Sequence, residues 1–111
     1  MRRIGVVLTA CMVLGFFLML PVSRVFGHTP LCSCWDNGDG TITCEGGFSD
    51  GSSGTGIAVR VIDKNDEKVL IAGKMDEDSE FTFNNPGVPY KVHYDAGPGH
   101  LVEIDGDDIT E

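Results

Sequence analysis

The sequence predicts an all-β domain, an antiparallel sandwich of about seven short strands, preceded by an N-terminal signal or anchor helix. Three observations carry this. From His28 onward the apolar residues recur with period 2 rather than 3.6. Clusters of Asp, Asn, Gly, Ser and Pro punctuate the chain at short intervals. Met1-Arg2-Arg3 is followed by Ile4–Leu20, 17 residues without a charge.

The N-terminal layout of basic start, apolar middle and small-ended Val25-Phe26-Gly27 is that of a secretory signal. Cleavage after Gly27 exports residues 28–111 as one domain with a short acidic tail. Retained, residues 1–27 form an inner-membrane anchor with the domain outside. Leu8-Thr9-Ala10-Cys11 has lipoprotein-box residue types, but further apolar residues follow it, so Cys11 reads as a small residue within the signal.

Strands are predicted near 31–36, 41–48, 57–63, 68–74, 79–84, 89–95 and 100–105. Ile57, Val59 and Val61 alternate with Ala58 and Arg60, and Phe81 and Phe83 with Glu80 and Thr82. Tyr90, Val92 and Tyr94 alternate with Lys91, His93 and Asp95; Val102 and Ile104 alternate with Glu103 and Asp105. Turn chemistry separates them at Asn37–Gly40, Ser49–Gly54, Asp63–Asp66, Met75–Asp78, Asn84–Gly87 and Asp95–Gly99. Val59, Val61, Ile71, Phe81, Phe83, Tyr90, Val92 and Tyr94 are the expected core between two sheets. A domain this small gains from a cross-link or a bound metal.

The chain of 111 residues carries 17 acids against 8 bases. From His28 on, only five bases remain against all 17 acids, a net charge of −12. Such a surface is repelled by phosphate backbones and by anionic lipid, so neither a nucleic acid nor a membrane surface is an expected partner. Contact with a membrane is expected only through a retained N-terminal helix.

Cys32 and Cys34 are two apart and face one way on a strand, and Cys44 lies on the next strand across the Asn37–Gly40 hairpin. An odd number of turn residues would set Cys34 opposite Cys44. In an oxidising compartment a disulfide from Cys44 to Cys34 or Cys32 is one reading, leaving one thiol over. A thiolate cluster for a transition metal is another, and three free thiols are the third. His28, if it begins the mature chain, offers an α-amine and a ring nitrogen that titrate near 8 and 6.5. Nitrogen donors suit nickel, cobalt, copper and zinc; a frayed terminus is the plain alternative. His100 follows the tight Gly97-Pro98-Gly99 turn, which presents it to a ligand. His93 falls on the opposite, outer face. Gly38–Thr43 resembles the middle of a calcium loop, but Trp35 and Gly46 occupy the first and twelfth positions, where carboxylates are needed. The four acids of Met75–Glu80 read as a solvated turn. No nucleophile with its base, zinc-protease helix or phosphate loop occurs, so the chain reads as a non-enzyme.

Several segments together carry a family resemblance: His28, Cys44–Gly51, Val59–Asp63, Ala72–Asp76, Ser79–Phe83 and Tyr94-Asp95-Ala96-Gly97-Pro98-Gly99-His100. They resemble the small extracytoplasmic components associated with bacterial nickel and cobalt uptake beside energy-coupling-factor transporters. The middle part is also similar to the carboxypeptidase regulatory-like module. The resemblance implies an immunoglobulin-like or transthyretin-like sandwich, a metal role for His28 and His100, and a membrane transporter subunit as partner. It implies a periplasmic or secreted protein that holds Ni²⁺ or Co²⁺ and catalyses nothing. Cys32, Cys34 and Cys44 add thiolates that would shift preference toward copper(I) or zinc. The alternative expectation is a structural or interaction module, closed by a disulfide, with no metal.

Overall fold

The computed structural model describes residues 29–111. The expected signal or anchor segment, residues 1–27, and His28 lie outside them. Seven strands occur among the described residues: β1 (Pro30–Asp36), β2 (Thr41–Phe48), β3 (Ala58–Asp63), β4 (Val69–Lys74), β5 (Glu80–Asn84), β6 (Tyr90–Asp95) and β7 (Leu101–Asp105). A single 3-10 turn, Gly106–Asp108, follows. Every strand begins within one residue of its predicted start.

The strands form two sheets, β1-β2-β5 and β4-β3-β6-β7, with every pairing antiparallel. The chain changes sheet after β2, β4 and β5. One end of the sandwich gathers the start of β1, the end of β2, the end of β6 and the start of β7. Pro30 pairs with Phe48 there, Asp95 pairs with Leu101, and the Phe48 and Tyr94 rings bridge the sheets at 6.4 Å. At the other end Asp36 N–H donates to Thr110 O, and Phe83 meets Tyr90 edge to face at 6.0 Å.

The core is Ile42, Cys44, Val59, Val61, Met75, Phe83, Tyr90, Val92 and Tyr94. Each fully buried Val or Ile contributes about 1.5–3 kcal/mol relative to leaving it in water. Six of the eight expected core residues are buried; Ile71 and Phe81 are half-buried and pack against the cluster instead. They lie on β4 and β5, edge strands with cover on one flank only. Ile42 and Cys44 take the deeper place because β2 is the middle strand of its sheet.

Two glycines let large rings close this core. A Cβ on Gly46 would run into the Tyr94 ring, and one on Gly73 into the Phe81 ring. Without side chains at these points, Tyr94 and Phe81 lie flat against the facing backbone. The Tyr94 hydroxyl then donates to Gly47 O at 3.2 Å.

The turns consume much of the acidity. Asp36, Asp39, Asp50, Asp63, Asp66, Asp76, Asp95 and Asp105 each accept, through Oδ1, the backbone N–H two residues ahead, as does Asn85. This local bond substitutes for a backbone turn. The solvated turn expected at Met75–Glu80 is of this kind, with Asp76 Oδ1 accepting from both Asp78 and Glu80.

On the outer face of the larger sheet, Arg60 pairs with Asp95 at 2.9 Å and Lys64 with Asp105 at 2.9 Å. His93 and Lys91 both reach Glu103, at 2.8 and 3.4 Å. The Arg60 guanidinium holds the Asp95 carboxyl below its usual 3.8, and His93 with Lys91 holds Glu103 below 4.5. Asp105 is lowered by the Asp107 N–H and Lys64. A carboxyl lowered in the folded state adds stability that is complete above its unfolded value and lost as pH falls through the folded one. The midpoint of urea unfolding is therefore expected to hold level from pH 7 to about 5 and to fall below about pH 4. A midpoint unchanged down to about pH 2 would contradict these pairings.

Candidate functional site

The cysteine cluster grows from strand alternation. Cys32 and Cys34 point inward from edge strand β1, and Cys44 points inward from β2. Asn37 N–H donates to Thr41 O at 3.0 Å, so three residues, Gly38, Asp39 and Gly40, reverse the chain. Gly38 and Gly40 take φ of 79° and 92°, a region that glycine enters without strain. The odd turn count sets Cys34 directly opposite Cys44, with Cα atoms 4.0 Å apart, and the two form a disulfide. Of the two pairings left open by the spacing, the structure contains the Cys34–Cys44 one.

Cys32 stands one step along the same face, opposite Gly46. Among the described residues it is the free thiol, half-buried. The three sulfur atoms lie within 4.8 Å of one another. The Tyr94 ring occupies the space over Gly46 and approaches Cys32 closely enough that a thiolate there would raise its phenol further, beyond what burial does. Burial likewise pushes the Cys32 thiol up to about 11, so it rests protonated at neutral pH. With the disulfide closed, two of the three sulfurs have no thiolate to give.

His100 lies in the β6–β7 loop and is exposed. Ala96 N–H donates to His100 O and His100 N–H to Gly97 O, while Asp95 accepts from Gly97 N–H. Gly97 and Gly99 hold positive φ, which lets the loop close this tightly. The ring Nδ1 is 3.0 Å from Pro98 O. A carbonyl can only accept, so Nδ1 carries the proton, and Nε2 is the nitrogen whose lone pair a neutral ring would offer.

Among the described residues, Cys32, Cys34 and Cys44 are the group of three potential metal ligands within reach of one ion, and His100 is not a member. His100 shares its end of the sandwich with Thr29, whose N–H donates to Ser49 Oγ at 3.1 Å and whose carbonyl accepts from Ser49 N–H at 2.8 Å. Thr29 is the residue that follows His28 in the chain. His93 is on the outer face as expected, bonded to Glu103. The loop around Asp39 is a turn: Asp39 accepts from the Thr41 amide and hydroxyl, which hold its carboxyl below the usual value.

An open groove of about 500 Å³ runs along the β1–β2 surface, with Leu31, Ser33, Glu45, Gly47, Ser53 and Ser79 among its lining. Sequence reasoning did not find it. Its Ser53 and Ser79 hydroxyls bond to each other at 2.8 Å rather than to a base. The signal available was the Gly-Ser run 51–54, which reads from sequence as a plain turn.

No family model, curated protein or solved structure matches this chain.

The disulfide closes a short loop between residues 34 and 44. Chain-entropy bookkeeping for such a loop gives about 3 kcal/mol. Replacing both cysteines (Cys34→Ala with Cys44→Ala) is expected to lower unfolding stability by about 2–4 kcal/mol, read from urea denaturation. A loss below about 0.5 kcal/mol would show that the hairpin holds its register without the bond.

Proposed function

We propose that this chain is an exported, non-catalytic metal-binding accessory protein that holds Ni²⁺ or Co²⁺ at one end of its sandwich. His28 and His100 supply the nitrogen donors. The ion is then passed to a membrane transporter subunit. The observation that carries this reading is the His100 loop. The Pro98 carbonyl accepts from Nδ1–H and so leaves Nε2 as the nitrogen of an exposed ring that could bind an ion; metal-binding imidazoles are oriented by such a carbonyl on their other nitrogen. The chain enters β1 at the same end, through Thr29. A mature chain beginning at His28 would present its α-amine and imidazole there as a chelating pair. The net charge of −12 over residues 28–111 favours the approach of a cation.

The same reading places the domain in the periplasm or outside the cell, or at the inner membrane if the N-terminal helix is kept. It takes the fold as immunoglobulin-like or transthyretin-like. The strand order supports a close relative of the first. Lettered in chain order, the constant-type immunoglobulin sandwich sets ABED against CFG, whereas here the fourth strand pairs with the third instead of the fifth.

A second reading has its own observation. The Cys34–Cys44 bond ties an edge strand to the middle of its sheet, as in a carboxypeptidase regulatory-like structural or interaction module that needs no metal.

Calorimetric titration of the chain starting at His28 separates them. The metal reading expects one Ni²⁺ or Co²⁺ per chain, with binding weakened at least about tenfold by His28→Ala and by His100→Ala, a difference of about 1.4 kcal/mol each. Heat of binding unchanged in both variants, or no binding at all, supports the structural module.

A further inference from the structure

We propose that the three sulfurs of Cys32, Cys34 and Cys44 form a second, reduction-gated site for a soft monovalent ion, copper(I). It is separate from the histidine end in ligand type and in chemistry. Cys32 has no disulfide partner, yet it lies inward on the same face as Cys34, with its sulfur within 4.8 Å of both bonded sulfurs. A cross-strand staple needs two cysteines; the third has no part in it.

The distances favour the site once the bond is opened. Metal–thiolate bonds of about 2.3 Å place the sulfurs of a trigonal site about 4 Å apart. The present spread of up to 4.8 Å therefore needs little inward movement of Cys32, and the Cys34 and Cys44 sulfurs must part. Their Cα atoms are 4.0 Å apart on paired strands, so side-chain rotation suffices without moving the sheet. Among the described residues the group contains three cysteines, and no His, Asp or Glu joins it. Cys44 is fully buried and Tyr94 covers the Gly46 side, while half-buried Cys32 lies at the edge of the cluster from which an ion could enter. Soft thiolates in low coordination number select copper(I) over the nitrogen-preferring Ni²⁺ and Co²⁺.

The gate is a two-electron exchange. A dithiol donor attacks one sulfur of Cys34–Cys44 as its thiolate, and the S–S bond breaks. A mixed disulfide forms, and the donor's second thiol resolves it. The donor leaves as a disulfide, and its two protons and two electrons leave Cys34 and Cys44 as thiols. Copper(I) then replaces the thiol protons, which pass to solvent, with no further change in oxidation state. The reverse exchange with a disulfide-bearing oxidant, which takes the two electrons and leaves as its dithiol, closes the Cys34–Cys44 bond again and releases copper(I) unchanged in oxidation state.

The test uses the whole chain. Protein reduced anaerobically with dithiothreitol, then freed of it, is titrated with copper(I) against a chromophoric chelator, alongside the unreduced protein. The expected result is one copper(I) per chain in the reduced form and at least tenfold weaker binding in the unreduced form. Cys32→Ser, which keeps the disulfide and so keeps the fold, should weaken binding to the reduced form at least tenfold while leaving any Ni²⁺ binding of the unreduced protein intact. Near-ultraviolet circular dichroism of Tyr94 and the core phenylalanines should persist on reduction. Equal affinity in both redox states, a Cys32→Ser variant as tight as the parent, or loss of that dichroism on reduction would each overturn the proposal. His100→Ala should leave copper(I) binding unchanged, so failure at the histidine end and failure at the sulfurs are read separately.

Discussion

The antiparallel register between β1 and β2 sets Cys34 opposite Cys44, and the reversal over Gly38, Asp39 and Gly40 fixes that register. Side chains alternate with period 2, so a one-residue slip of β1 would turn Cys32 and Cys34 toward solvent, bring Leu31 and Ser33 inward, and leave Cys44 on β2 without its partner. The same register puts Gly46 opposite Cys32. That glycine is where the Tyr94 ring descends from the other sheet. One hairpin thus determines the disulfide, the position of the spare thiol and the contact that closes the sandwich at that end.

The acidity of the chain has a structural explanation alongside its electrostatic one. Eight aspartates accept the amide two residues ahead and so build the connections between strands. A sandwich of seven short strands needs many tight reversals, and here Asp and Gly supply them. The negative surface that draws cations is therefore in large part a by-product of turn chemistry. Such a field concentrates cations without choosing among them. In the proposed reading, selection comes from donors of particular softness, and two kinds are at hand: the His100 imidazole, whose Nδ1 bonds to Pro98, and sulfurs whose availability depends on one bond.

Strand positions were legible because alternation and turn residues are local signals. The core was legible where alternation was clean, as in Val59–Val61 and Tyr90–Tyr94. It was not legible in Ile42-Thr43-Cys44, where burial comes from β2 being the middle strand, a property of pairing rather than of neighbours in sequence. Met75 escaped notice for a related reason. It sits beyond β4 among acids, and its buried place follows from backbone bonds with Ile57 and Gly56. The shared face of Cys32 and Cys34 could be read from their spacing. The choice of Cys34 as partner could not, because it turns on the parity of the reversal. The His100 tautomer depends on a loop closed by two backbone hydrogen bonds and one to the Asp95 carboxylate, which no spacing rule reveals.

The parity of the reversal decides which sulfurs are joined, and peptide mapping by mass spectrometry without reduction reads that choice. After alkylation under native and then denaturing conditions, a Cys34–Cys44 linkage is expected, with Cys32 labelled only once the chain unfolds. A linkage through Cys32, or a Cys32 labelled as rapidly as an exposed thiol in the native protein, would contradict it.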